Sequence, residues 1–216
     1  MAQEQVLIAV RPDTGYPDRL RAFVVAATRV VERGGAEPEL LAAMTPLLAA
    51  LVGTDDWLPP EFAAPSADRY CQYLLHCDPL ERFSVVSFVW APGQHTPVHD
   101  HTVWGLIGQL RGAERAERFT PPPELRPLGA DLLEPGMVGA VSPSIGDVHR
   151  VCNALDDRAS ISIHVYGGNI GAVERVTFDA AGHAKPFISG YANTSLPNLW
   201  DGSQRPAIAA PARVLH

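Results

Sequence analysis

Two histidines stand one residue apart in the segment Gly93-Gln94-His95-Thr96-Pro97-Val98-His99-Asp100-His101. On an extended chain residues i and i+2 point to the same face, so His99 and His101 aim both imidazoles into one interior while Asp100 turns away. Two converging imidazoles suit a borderline first-row metal such as Fe, Zn, Ni or Cu. A second run, Ser160-Ile161-Ser162-Ile163-His164-Val165-Tyr166, alternates polar and aliphatic side chains. Its period of two predicts a strand with Ser162, His164 and Tyr166 on one face and the aliphatic residues on the other. A hydroxyl, an imidazole and a phenol in a row can hand a hydrogen bond along, ending in a phenolic O–H aimed at the interior. The plainer reading of such a strand is a polar face turned to solvent. A serine-nucleophile triad lacks an evident acidic third member, and no Gly-x-Ser-x-Gly turn occurs.

The spacing around the histidine pair carries a first resemblance. Gly93, five residues, His99-x-His101, three residues, Gly105, six residues and Gly112 together resemble the first cupin motif, with Gly105 where that motif usually carries Glu. The stretch Gly146-Asp147-Val148-His149-Arg150-Val151-Cys152-Asn153 resembles the second, with Pro143 one residue off its place, and offers His149 as third ligand. The resemblance implies a mainly β fold, a double-stranded β-helix (jelly-roll) barrel. A site of three histidines and no carboxylate is neutral, so a bound metal keeps its dipositive charge and can attract a thiolate and dioxygen together.

A narrower resemblance follows from the motifs in combination. The runs His99-Asp100-His101-Thr102, His149-Arg150-Val151 and Ser162-x-His164-x-Tyr166 resemble those of the thiol dioxygenases, relatives of cysteine dioxygenase, over roughly Arg69 to Trp200. That family implies ferrous iron on His99, His101 and His149, with Ser162, His164 and Tyr166 placing oxygen and substrate nearby. Its partners would be a small thiol and dioxygen, and its product a sulfinate. Seven residues after the first metal histidine, the animal enzymes carry a cysteine cross-linked to the relay tyrosine; Leu106 stands there, so no such link to Tyr166 is expected. Gln72 replaces the Arg that grips the carboxylate in cysteine-specific members and resembles the subgroup preferring 3-mercaptopropionate. Gln offers only neutral hydrogen bonds to a carboxylate, so another cation is needed, and Arg175 matches the position of the subgroup's Arg. The plainer reading of Arg175 is a pair with Glu174 or with solvent. The run Gly190-Tyr191-Ala192-Asn193…Leu196-Pro197-Asn198-Leu199-Trp200 also resembles this subgroup and is expected over the barrel mouth. Cysteine dioxygenase itself, a zinc, nickel or manganese cupin isomerase or hydrolase, and a non-catalytic small-molecule sensor are the competing readings.

The elements that must position these residues divide into two regions. From Pro17 to Arg33 apolar residues recur at helical steps, ended by Gly34-Gly35. A second helix is expected over Pro38–Val52, with Pro46 predicting a kink or break near Thr45. Its Leu-rich face reads as core or as a contact between copies in a homo-oligomer. Short strands follow at Tyr70–His76, Phe83–Trp90, Val103–Leu110, Ala113–Phe119, Met137–Val141, Val148–Asn153, Ser160–Tyr166 and Glu174–Phe178. Pro121-Pro122-Pro123 reads as a loop between two sheet halves. One domain over 1–216 is expected, with a helical cap at 1–60 and the barrel with its metal site at 69–200.

Composition sets outer limits. The 216 residues are 46% apolar and 19% charged, with 20 prolines and 18 glycines that favour frequent turns. A net charge of −7 without basic runs argues against nucleic acid as partner. No apolar stretch reaches membrane-spanning length, and Met1-Ala2-Gln3-Glu4-Gln5 lacks the basic start of a secretion signal. Cys71, Cys77 and Cys152 show no CxxC spacing and read as reduced, small buried hydrophobes in a cytoplasmic protein. His76, His95, His183 and His216 are expected to be surface or structural.

Overall fold

The computed structural model describes residues 18–193. Helix α1 (Asp18–Arg33) buries Phe23, Ala27 and Val30 at steps of four and three residues and ends at Gly34, whose φ of 64° suits a residue without Cβ. Helix α2 (Glu37–Val52) begins where the Glu39 carboxylate accepts the Ala36 backbone N–H. Of the expected kink or break near Thr45, the break does not occur. The helix runs through Pro46, and the Thr45 hydroxyl donates to the Leu41 carbonyl at 2.7 Å. Pro46 removes one helical donor, which burial of Met44, Leu48 and Leu51 offsets.

Eleven strands follow among the described residues: β1 (Cys71–Cys77), β2 (Ser84–Trp90), β3 (Val98–His99), β4 (Gly105–Arg111), β5 (Glu114–Phe119), β6 (Pro127–Leu133), β7 (Val138–Val141), β8 (His149–Asn153), β9 (Ser160–Tyr166), β10 (Arg175–Phe178) and β11 (Ala184–Phe187). They form a five-stranded sheet, β1-β2-β9-β4-β7, and a six-stranded sheet, β11-β10-β3-β8-β5-β6. Every ladder is antiparallel. Non-sequential neighbours in both sheets give the double-stranded β-helix of the cupins, with the helices as a cap.

Two of the apolar clusters explain why β9 is buried from end to end. The outer face of the five-stranded sheet packs Val85, Val89, Leu106, Ile161, Ile163 and Val165 against the helices. The inner face joins Val86, Phe88, Trp90 and Tyr166 to Val151 of the opposite sheet. Ile161, Ile163 and Val165 are at most 1% exposed, and burying each contributes about 1.5–3 kcal/mol relative to exposure. Gly108 permits this close approach of α2. A Cβ there would lie 2.9 Å from both Leu48 Cγ and Val52 Cγ1.

Several sequence expectations change. The pair His99 and His101 does not share a strand, because β3 ends at His99 and Thr102 adopts a φ of 60°. Of the expected His-x-His strand, β3 keeps only His99, and strands β6 and β11 were not expected. The Pro121–Pro123 loop joins β5 to β6, which are neighbours in one sheet rather than members of two halves.

Candidate metal centre

His99, His101 and His149 converge at the inner face of the barrel. Their ligand atoms all lie within 4.8 Å of one another, and all three side chains are buried. His99 and His149 face each other across the β3–β8 ladder. His101 reaches the cluster from the turn after β3, where Asp147 fixes it. The Asp147 carboxylate accepts from the His101 and Thr102 backbone N–H groups, and from His101 Nδ1 at 3.1 Å. Asp100 points away, as expected, and accepts the Val176 N–H at 2.8 Å.

The hydrogen bonds also set the tautomers. His99 Nδ1 lies 3.1 Å from the Pro97 carbonyl, which can only accept, so the hydrogen is on Nδ1 and the Nε2 lone pair is left over. The Asp147 carboxylate does the same for His101. Burial, then the neighbouring cationic forms, hold His99 and His149 well below the usual imidazole range; burial likewise lowers His101 against the pull of Asp147. Burial opposes the charge on Asp147, but its bonds to His101 prevail and its carboxyl is lowered. Three neutral imidazoles and no carboxylate in the cluster form a donor set that fits a first-row divalent ion.

Beside this cluster the expected chain of polar groups is continuous. Tyr166 Oη lies 2.8 Å from His164 Nδ1, and His164 Nε2 lies 2.7 Å from Ser162 Oγ. All seven residues of β9 are buried, which excludes the solvent-facing reading. Phe88 stacks on the His164 ring at 4.1 Å, and Tyr166 stacks on His101 at 5.4 Å. Gly105, where the motif has Glu, makes the room. A Cβ at that position would sit 2.8 Å from two carbons of the Tyr166 ring. Gly105 is also the ladder partner of Tyr166, while Leu106 packs toward the helix cap. The residue facing Tyr166 is therefore Gly105 rather than Leu106, and neither carries a thiol.

A cavity of about 270 Å³ unites these groups, and its lining includes the three histidines, His164, Tyr166, Tyr70, Gln72 and Arg175. Arg175 is 3% exposed and pairs with no carboxylate among the described residues, so neither plain reading of it holds. Its guanidinium lies 4.7 Å over the Phe187 ring and donates to Ser189 Oγ at 2.6 Å, while its Nε is buried without a partner. Burial lowers its affinity for its proton, although it remains a cation. Gln72 spends its amide hydrogens on Ser189 Oγ and the Gly190 carbonyl, so Ser189 links the two residues.

The remaining histidines stay outside the cluster. His95 is exposed, His76 packs on Phe83, and His183 pairs with Asp179 at the surface. Cys71 and Cys77 are buried as expected, but Cys152 is only half-buried. Tyr191 and Asn193 lie alongside the barrel, with Asn193 bonding both backbone groups of Leu74; residues 196–200 and His216 lie outside the described residues. Sequence reasoning gave no role to Asp147, Ser189 or the buried Glu114 beyond Ser162. Only Asp147 left a signal, two residues before His149 in the second motif.

No family model matches the chain. Among solved structures, a Klebsiella pneumoniae protein with a double-stranded β-helix domain shares 16% identity over 62% of this chain and 97% of its own, with a TM-score of 0.43. An RmlC-like cupin from Desulfovibrio desulfuricans shares 21% identity over 53% and 96%, with a TM-score of 0.39. Oxalate oxidase bound to the substrate analogue glycolate shares 13% identity over 49% and 55%, with a TM-score of 0.40. The strand order and antiparallel register carry the cupin architecture by themselves.

Proposed function

We propose that this protein is an iron-dependent thiol dioxygenase acting on a small thiol carboxylic acid, with 3-mercaptopropionate as the preferred substrate. The carrying observation is that a neutral three-imidazole cluster and a buried guanidinium without a carboxylate share one cavity. Ferrous iron on His99, His101 and His149 would supply the site at which the sulfur and dioxygen meet. An anion with a thiolate at one end and a carboxylate at the other matches the charges that the cavity presents. Arg175, held by Ser189 and Phe187, takes the carboxylate as a charge-assisted partner. Gln72 steadies that arrangement through Ser189. Tyr166 offers its oxygen to the reacting end, with His164 and Ser162 fixing its orientation.

The lining also favours a thiol acid without an amino group. None of the residues lining the cavity is acidic, so an ammonium group would enter without a counter-charge. The overall reaction needs no further reactant: one thiol and one dioxygen give one sulfinic acid. The three free cysteines suit a reducing, cytoplasmic setting.

The test is to load the protein with ferrous iron without air, add 3-mercaptopropionate, cysteine or cysteamine, and then admit oxygen. One oxygen consumed per 3-mercaptopropionate, with the matching sulfinate as product, is the expected result. Far higher specificity for cysteine would defeat the substrate assignment. Oxygen uptake with none of the thiols would defeat the reading as a whole.

A further inference from the structure

Beyond Ser162 lies a carboxyl group that the reaction above does not use. Glu114, at the start of β5, is 1% exposed and has no basic partner among the described residues. Ser160 Oγ donates to its Oε1 at 3.4 Å, and Gln109 Nε2 donates to Ser160 Oγ at 2.7 Å. Its Oε2 has no partner at hydrogen-bonding geometry, and neither has Trp90 Nε1, although Ser162 and Trp90 both face the carboxyl. Among the described residues no cation acts on it; its chain neighbour Arg115 is exposed and pairs with Glu117. Its ladder partners are Asn153 on β8 and Leu133 on β6; of the titratable groups near it, Cys152 is a half-buried thiol, and His164 and Tyr166 belong to the relay. A buried carboxylate with so little support is costly, and the same site accommodates a neutral carboxylic acid.

We propose that Glu114 is a proton store for the cavity, filled and emptied through Tyr166, His164 and Ser162, and that its state sets the direction of every hydrogen bond in that relay. With Glu114 ionised, Ser162 donates to the carboxylate, His164 Nε2–H donates to Ser162, and Tyr166 donates to His164 Nδ1. The tyrosine then shows the cavity only a lone pair. When a proton arrives on the Tyr166 oxygen from the cavity, the hydrogen already there passes to His164 Nδ1. The Nε2 hydrogen passes to Ser162, and the serine hydrogen passes to Glu114 Oε2. One proton has entered, each of three bonds has moved one hydrogen, and the imidazole is neutral before and after. Tyr166 now carries an O–H free to point into the cavity.

Burial moves the Glu114 carboxyl from its ordinary 4.5 up to about 7, against the opposing pull of the Ser162 and Ser160 hydroxyls and the Trp90 N–H that face it, so both states are accessible near neutral pH. His164 is held well below the imidazole range by burial, which keeps it a conduit rather than the resting place of the charge. A use for the store follows, resting on the thiol reading: a thiol that reacts as its thiolate must give up a proton inside the cavity. Glu114 receives it, and the same event turns Tyr166 into a donor toward the reacting end.

The experiment is nitrogen NMR on the metal-free full chain, with the His164 ring assigned by comparison with His164→Gln, alongside infrared detection of a protonated buried carboxyl. The His164 hydrogen should move from Nε2 to Nδ1 as pH falls, with a midpoint near 7 shared with the carboxyl band. Both transitions should vanish in Glu114→Gln. In Ser162→Ala the carboxyl should still titrate while the His164 tautomer no longer follows. An unchanging His164 tautomer in the parent, or a transition that survives Glu114→Gln, overturns the store. Should Glu114→Gln not fold, the parent and Ser162→Ala decide alone: a tautomer shift that survives the loss of the serine also overturns it. Oxygen uptake separates the two readings, because a tautomer shift without thiol-dependent uptake sinks the dioxygenase and spares the store, and the reverse result does the opposite.

Discussion

Tyr166 touches both halves of the site, its ring against His101 and its oxygen against His164. Tyr166→Phe keeps the stack and loses the hydroxyl that bonds His164 and faces the reacting end. Turnover of 3-mercaptopropionate should fall about 10–100-fold with little change in KM, read by oxygen uptake. Arg175→Met should divide the other way, raising KM about 10–100-fold, because it removes a charge-assisted grip from the far end of the substrate. Unchanged KM in that variant would place the carboxylate elsewhere. Asp147 acts one step back from any bound ion. Asp147→Ala frees the His101 ring and its turn, and should weaken metal affinity about 10–100-fold in competition with a chelator.

At the scale of elements, Gly105 decides where Tyr166 can sit. Gly105→Ala places a methyl group 2.8 Å from the ring, so β4 or the tyrosine must shift. We expect a loss of about 1–3 kcal/mol in denaturant unfolding, with a longer Tyr166–His164 bond in the variant's structure. Elements differ in how readily the sequence betrays them. Strand β9 was legible because its two faces meet two different interiors, one polar and one aliphatic, and the alternation shows directly. Strands β6 and β11 were not, since Pro127–Leu133 is exposed at every position but the last and Ala184–Phe187 is mostly exposed with a proline inside. Both are sheet edges, where the pattern of burial is weakest. The three histidines are legible from spacing, yet an extended chain alone does not aim His101. Its direction comes from Asp147, forty-six residues away, and contacts of that range leave no local period. Glu114 and Ser189 were hidden for the same reason.

Over the whole molecule, the Glu114 carboxyl couples stability to pH. Its affinity for a proton is higher in the folded chain, about 7 against an ordinary 4.5, so the native state binds the extra proton between those values. The stability this contributes is present below 4.5 and lost as pH rises through about 7. Glu114→Gln carries no such dependence and should exceed the parent by on the order of 3 kcal/mol at alkaline pH, measured by denaturant unfolding across the range. No gain there would mean that the carboxyl is ionised without cost. The two-faced strand β9 has a consequence for how the molecule is made. A slip of one residue in its pairing would turn Ser162, His164 and Tyr166 under the helices and push Ile161, Ile163 and Val165 among the histidines. Such a chain would forfeit its apolar core together with its chemistry, so an inert but well-folded impostor has nowhere to form. In refolding, the yield of compact protein and the yield of competent protein should be the same quantity.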